Sequence, residues 1–278
     1  MWQLGYRKTV MAAGRERTTR HLFTSYLGID YSGAQTAESG LRGLRVFVAD
    51  TKREPVEVDP PPGRSLYWTR RGLANWLVER LAGDGPTIVG IDHGLSFPWQ
   101  YFETHHLEPD WPAFLADFRR HWPTDDQNVS VDLIRRGQIG AGRDRAGSSR
   151  WRRLTERRVG AKSVFHFDVP GSVAKSTHAG LPWLSYLREQ LGGGLHFWPF
   201  DGWEVPAGRS VMAEAYPSLW NRDYQRVELT PDQHDAWVVA KWLREADRDG
   251  SLSGFFQPAL TEAEAARARI EGWILGVR

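Results

Sequence analysis

Four acids in this 278-residue chain stand where a fold could bring them together: Asp30, Asp92, Glu214 and Asp235. The first three each close a short apolar run, and the fourth stands near the start of an amphipathic one. Four carboxylates cannot all stay ionised within a few ångströms unless cations neutralise them. Hard oxygen ligands select Mg²⁺ or Mn²⁺ over Zn²⁺. Two such ions about 3.5–4 Å apart would activate a water and stabilise the leaving oxygen of a phosphodiester. The four acids are therefore the expected metal ligands and catalytic residues. A structural role is open to each as well: an Asp at a strand end also forms turns, and one at a helix start meets the positive end of the helix dipole.

The elements that would position these acids can be read from pattern. A strand over 26–29 ends in Asp30, and Ser32 and Gly33 allow a tight turn toward a second strand over 44–48. Residues 54–64 are Pro-rich and turn-like. Leu73, Trp76, Leu77 and Leu81 then mark one face of a helix over 69–82. The run T-I-V-G-I at 87–91 reads as a buried strand ending in Asp92, and helices are expected over 111–122 and 129–136. A brief strand over 210–213 precedes Glu214. Thr230, Pro231 and Gln233 make a capping box with Pro at the first helical position, which places Asp235 in the first turn beside Val239 and Trp242. A second box, at 261–264, opens a final helix.

Composition narrows the class. Apolar residues make up 41% and charged residues 25%, as in ordinary globular chains. The absence of cysteine excludes disulfides and thiolate metal sites, and fits a cytoplasmic setting. No apolar run approaches the roughly 18–20 residues of a membrane span, so no membrane association is expected. The net charge of +2 says little, but its distribution says more. Residues 1–24 form a basic, flexible leader, with Arg7, Lys8, Arg15, Arg17 and Arg20 against Glu16. It reads as a tail, as an upstream extension before Met11, or as a transit segment. Residues 25–278 read as one domain.

Residues 135–162 carry nine Arg and one Lys against Asp144 and Glu156, with five glycines. This stretch reads as a basic insertion or mobile loop. Arg152, Arg153, Arg157 and Arg158 are its candidates to meet phosphates of a nucleic acid; a solvated charged surface is the alternative. Further on, Lys175, Ser176, Thr177 and His178 gather polar groups beside a helix running to 191. Lys175, Ser176 and His178 are taken as substrate-binding candidates, although His178 could equally cap that helix.

Five motifs, in order, are G-I-D-Y-S-G-A at 28–34, V-G-I-D-H-G-L-S-F-P at 89–98, A-E-A-Y-P-S-L-W at 213–220, H-D-A-W-V-V-A at 234–240 and E-G-W-I-L-G-V at 271–277. In this the chain resembles the ribonuclease H-like superfamily, and within it a domain family of unknown function described as predicted RNase H-like nucleases. The resemblance implies an α/β fold with a mixed sheet of about five strands flanked by helices. It implies Asp30 as the first-strand metal ligand, Asp92 as the acid ending the fourth strand, Glu214 after the next strand and Asp235 on the last core helix. His93-Gly94 and the basic stretch depart from the pattern. The expected activity is Mg²⁺- or Mn²⁺-dependent hydrolysis of DNA or RNA. An actin- or sugar-kinase-like phosphotransferase and a non-catalytic nucleic-acid or protein binding module are the alternatives. The sequence leaves the oligomeric state open.

Overall fold

The computed structural model describes residues 21–63, 65–83, 85–225 and 228–278. Six strands form one mixed sheet: β1 (Ser25–Asp30), β2 (Arg45–Asp50), β3 (Val56–Glu57), β4 (Thr87–Asp92), β5 (Leu195–Phe197) and β6 (Ser210–Glu214). Their order across the sheet is β3-β2-β1-β4-β6-β5. The first three pair antiparallel; β1–β4, β4–β6 and β6–β5 are parallel. The three acids expected just after strands are the last residues within β1, β4 and β6.

The helices are α1 (Arg70–Leu81), α2 (Trp99–Thr104), α3 (Trp111–His121), α4 (Val131–Arg135), α5 (Leu154–Val159), α6 (Ala174–Leu191), α7 (Pro231–Asp249), α8 (Leu252–Phe255) and α9 (Glu262–Glu271). They cover both faces of the sheet, which is why β1, β4 and β6 read as nearly continuous apolar runs. On one face Tyr26, Ile88, Val211 and Ala213 pack with Val238, Val239 and Leu243 of α7. On the other, Leu27, Ile29, Val89, Ile91 and Met212 share a core with residues of α1, α3 and α6. Among the described residues no helix is long and apolar enough to cross a membrane.

Capping explains several helix starts. Thr69 and Asp110 accept backbone bonds from Gly72 and Ala113, and Thr230 and Thr261 form the expected boxes with Gln233 and Glu264. Pro182 lies inside α6 and has no N–H to offer the carbonyl of His178. The Thr124 hydroxyl donates to that carbonyl at 2.8 Å instead.

The structure corrects several boundaries. The Pro-rich stretch contains β3, a two-residue edge pairing with Phe47 and Val48. Strand β5 has no legible signature in the sequence, because three residues are too few to show a period. Most of the expected leader, residues 1–20, lies outside the described residues, but residues 21–24 are tied down. The Asp247 carboxylate on α7 accepts from the backbone N–H of Leu22 (2.9 and 3.0 Å) and of Phe23 (3.1 Å), and from the Tyr26 hydroxyl at 2.6 Å.

The basic stretch is likewise folded onto the domain. It contains a 3₁₀ turn at Gly142–Arg145 and helix α5. Arg135 pairs with Asp168, Arg145 with Asp117 and Arg158 with Glu264.

Candidate active site

Strand alternation and register decide which acids meet. Asp30 and Asp92 are Cα partners at the ends of the parallel strands β1 and β4. Two residues earlier Gly28 and Gly90 are also partners, on the same face because side chains alternate. Helix α7 lies against these glycines. A Cβ on Gly28 would stand 2.0 Å from the Ala236 carbonyl oxygen, and one on Gly90 2.5 Å from a Val239 methyl. With no side chain at either position the helix reaches the sheet backbone, and Asp235, one residue before Ala236, is carried toward Asp30 and Asp92.

The electrostatics reflect this approach. The Asp30 carboxyl is held well above the usual carboxylate range, first by burial, then by the charges of Asp92, Asp232 and Asp235; Arg45 opposes them. Asp92 is raised by burial, then by Asp235 and Glu214. Arg45 is the Cα partner of Asp30 on β2, and its guanidinium is also held by Glu57 at 3.0 Å. Asn221 donates from Nδ2 to Asp235 Oδ1 at 2.8 Å.

Asp232 is a site residue that the sequence reading did not include. It, rather than Asp235, occupies the first turn of α7, three residues before Asp235 and so on a shared side of the helix. Its Oδ2 would lie 3.3 Å from a Cβ on Gly43, and the Cβ of Ser32 3.8 Å from the same point. The spacing in P-D-Q-H-D was the available signal.

Glu214 is placed differently from the other acids. Its register partner on β4 belongs to the opposite face: Ile91 pairs with Glu214, as Gly90 pairs with Ala213. Its carboxylate meets the guanidinium of Arg153, with Nη1 on Oε2 and Nη2 on Oε1, both at 2.6 Å. Arg153 is 1% exposed; its Nε donates to Glu156 Oε1 at 2.9 Å, and these carboxylates hold it firmly protonated against the cost of burial. The expectation that Arg153 meets substrate phosphates is therefore corrected: burial and its two glutamates take up that charge. Glu214 still lines one cleft with Asp92, together with Arg153, Glu156, Lys162 and Tyr216.

The remaining substrate candidates divide. Arg157 is exposed and Arg152 half-buried. Arg158 reaches toward the C-terminus, bonding Glu264 and the Arg278 carbonyl. Lys175 and Ser176 start α6, whose backbone abuts the turn after β1: a Cβ on Gly33 would lie 2.1 Å from the Lys175 carbonyl carbon. Lys175 Nζ pairs with Asp132 at 2.9 Å, and the Ser176 hydroxyl donates to the Val173 carbonyl.

His178 neither caps α6 nor faces a cleft. It is buried among Phe97, Phe118, Trp122, Phe165 and Phe167, with Nδ1 bonded to the Ala174 carbonyl at 2.8 Å. Burial lowers its pKa to about 3, so it is a neutral core residue. His93 is likewise buried, edge-on to Tyr31, and lowered by burial to about 4.

Arg70 is a second residue the sequence did not single out. Wholly buried, it donates to the carbonyls of Ser32 (3.1 Å), Ala34 (2.7 Å) and Gln35 (3.1 Å). It thereby fixes the turn that leaves Asp30.

The donor set of Asp30, Asp92 and Asp235 suits a hard divalent cation, because their mutual repulsion and burial are what such a charge would relieve. Glu214, saturated by Arg153, does not suit that role as placed. Among the described residues no group of three or more His, Cys, Asp or Glu side chains is already disposed around a common point for a metal ion. Compared with known proteins, the chain matches no family model, no curated protein and no solved structure.

Proposed function

We propose that the β1–β4 edge is the active site of a Mg²⁺- or Mn²⁺-dependent phosphodiester hydrolase acting on nucleic acid, of the ribonuclease H-like kind. The observation that carries this reading is the side-by-side placement of Asp30 and Asp92 under the N-terminal part of α7, with Asp235 brought over them. The motif resemblance adds to it: Asp92 closes the fourth strand, as that resemblance implies, and Asp235 lies on the long helix crossing the sheet.

Asp30, Asp92 and Asp235 would hold the cation, which supplies Lewis-acid activation of water and charge stabilisation at phosphorus. The chain's own residues set the frame. Arg70 and Gly33 fix the turn after β1, Asn221 orients Asp235, and Asp232 adds negative charge beside Asp30. Of the four arginines expected to meet phosphates, Arg152 and Arg157 form no ion pair among the described residues and remain as candidates to meet a phosphate backbone.

The test is cleavage of labelled single- and double-stranded DNA and RNA with Mg²⁺, with Mn²⁺ and with chelator. Asp30→Asn and Asp92→Asn should each lower divalent-dependent cleavage by at least about a hundredfold, since such stabilisation is worth several kcal/mol. Cleavage that persists in both variants, or none on any nucleic acid, rejects the reading.

A further inference from the structure

The chain leaves β3 at the same end of the sheet as Asp30 and Asp92. Glu57 pairs with Phe47, the Val58 N–H donates to the Val46 carbonyl at 2.9 Å, and Arg45, next along β2, is the Cα partner of Asp30. Two strand spacings, about 10 Å, separate β3 from β1. The loop over residues 59–67 therefore starts beside the acid edge. Its ends are closed: Trp68 Nε1 donates to the Val58 carbonyl at 2.8 Å, and the Trp68 carbonyl accepts from the Leu41 N–H at 2.9 Å. Pro60, Pro61 and Pro62 fix φ along one limb. On the other limb the Ser65 hydroxyl donates to the Tyr67 carbonyl at 2.8 Å and accepts from the Tyr67 N–H at 3.1 Å. A Cβ on Gly40 would meet Ser65 Oγ at 2.1 Å, so this limb sits directly on the segment that follows β1.

This braced loop holds apolar side chains out to solvent. Leu66 is 89% exposed and Tyr67 37%. The Arg45 guanidinium carbon lies 5.5 Å from the centre of the Tyr67 ring, so one side chain links the ring to the strand position opposite Asp30. Tyr67 also borders a cleft of about 470 Å³ with Pro60, Pro61, Ser65, Trp68 and Thr69, a size within the range of small-ligand sites. The charges nearby are largely spent on one another: Arg45 pairs with Glu57, and Arg71 with Glu38. Among the described residues of 37–44 and 58–69, the remaining charges, Arg42 and Asp59, are exposed and opposite in sign.

We propose that Tyr67 and Leu66 form a stacking platform for an unpaired base of a single-stranded nucleic acid whose backbone crosses the acid edge. An exposed aromatic ring beside an arginine suits the π-face that every base presents, whatever its sequence. Two side chains fall far short of the roughly 800 Å² that a stable protein partner covers on each side. The inference rests on the nucleic-acid reading and specifies the strand form that the site takes. With local charges balanced, the platform holds its base by stacking and not by attraction to phosphate. A duplex keeps its bases paired and stacked on one another, so it gains nothing from Tyr67.

Equilibrium binding in chelator tests this without reference to cleavage. Fluorescence anisotropy follows a labelled mixed-sequence oligonucleotide, single-stranded or annealed to its complement, with wild type, Tyr67→Ala, Tyr67→Phe and Leu66→Ser. Tyr67→Ala should weaken single-strand binding at least about fivefold, the lower end of what one stacked base contributes. Tyr67→Phe, which keeps the ring, should stay within about twofold of wild type, as should every variant on the duplex. The slope of log affinity against log salt should be the same in Tyr67→Ala as in wild type, because no phosphate contact is removed. Leu66→Ser, at a side chain in open solvent, should also weaken the single strand and keeps the test valid where Tyr67→Ala does not fold. Unchanged single-strand binding in both Tyr67→Ala and Leu66→Ser, an equal loss on duplex, or no single-strand binding by wild type overturns the inference. The metal-dependent reading then still stands or falls on its own cleavage test.

Discussion

Gly28 and Gly90 lie side by side on β1 and β4, and α7 occupies the space that side chains there would fill, with its backbone at Gly28 and with the Val239 and Leu243 side chains at Gly90. This places an acid-bearing helix directly against the two strands that end in Asp30 and Asp92.

Gly28→Ala tests that relationship. The added methyl would stand 2.0 Å from the Ala236 carbonyl oxygen, a backbone atom that moves only if α7 moves. Overpacking of a rigid core typically costs about 1–3 kcal/mol and sometimes more. A loss of about 3 kcal/mol or more is expected, measured as a fall in the urea midpoint at constant slope.

Asp30 should destabilise the metal-free fold at neutral pH. Its folded pKa is raised above the ordinary value of 3.8, so the folded state retains the proton more strongly than the unfolded chain does. The cost is absent below 3.8, grows as pH rises above it, and becomes constant above the folded value. Asp30→Asn should therefore raise Tm at pH 7, by about 2–4 °C per kcal/mol relieved, and the gain should disappear near pH 4. Calorimetric scans of both proteins without divalent ions, across pH 4–8, measure this.

His178 works in the opposite direction. Its pKa is lowered from 6.5 to about 3, so its contribution is fully present above 6.5 and is lost as pH falls toward 3. The slope is at most about 1.4 kcal/mol per pH unit for one proton. His178→Gln should flatten the fall in stability between pH 6 and pH 4 by that one-proton component. Urea midpoints at half-unit intervals read the difference.

Thr124 carries the carbonyl that Pro182 leaves without a helical partner. Thr124→Val keeps the shape and strands a buried acceptor, at a cost of about 1–3 kcal/mol. Thr124→Ser, which keeps the hydroxyl, should lose less. Equal losses in the two variants, measured by chemical denaturation, would contradict this assignment.

Much of the frame was legible from sequence because its signals are local. Short apolar runs bounded by acids located β1, β4 and β6, and the T-P-D-Q box located the start of α7 to the residue. The face each acid occupies was less accessible. Asp30, Asp92 and Glu214 look alike as strand-ending acids, yet a one-residue difference in pairing sends Glu214 to the other face. The partner that claims it, Arg153, is 61 residues distant and hidden in a charge run that composition alone describes as surface. Arg70 was missed for a related reason: its three acceptors are backbone carbonyls, which leave no mark in the sequence. His178 shows the converse error, a polar side chain whose neighbours in sequence are polar but whose neighbours in space are aromatic.

The central claim is that Asp30, Asp92 and Asp235 hold a divalent cation at the β1–β4 edge. The most direct measurement is the anomalous X-ray signal of crystals grown with Mn²⁺ and a non-hydrolysable oligonucleotide analogue. The account predicts a peak within coordination distance of carboxylate oxygens from all three residues, and none on Glu214. A peak bound elsewhere, or no peak at this edge with the analogue in place, would contradict it.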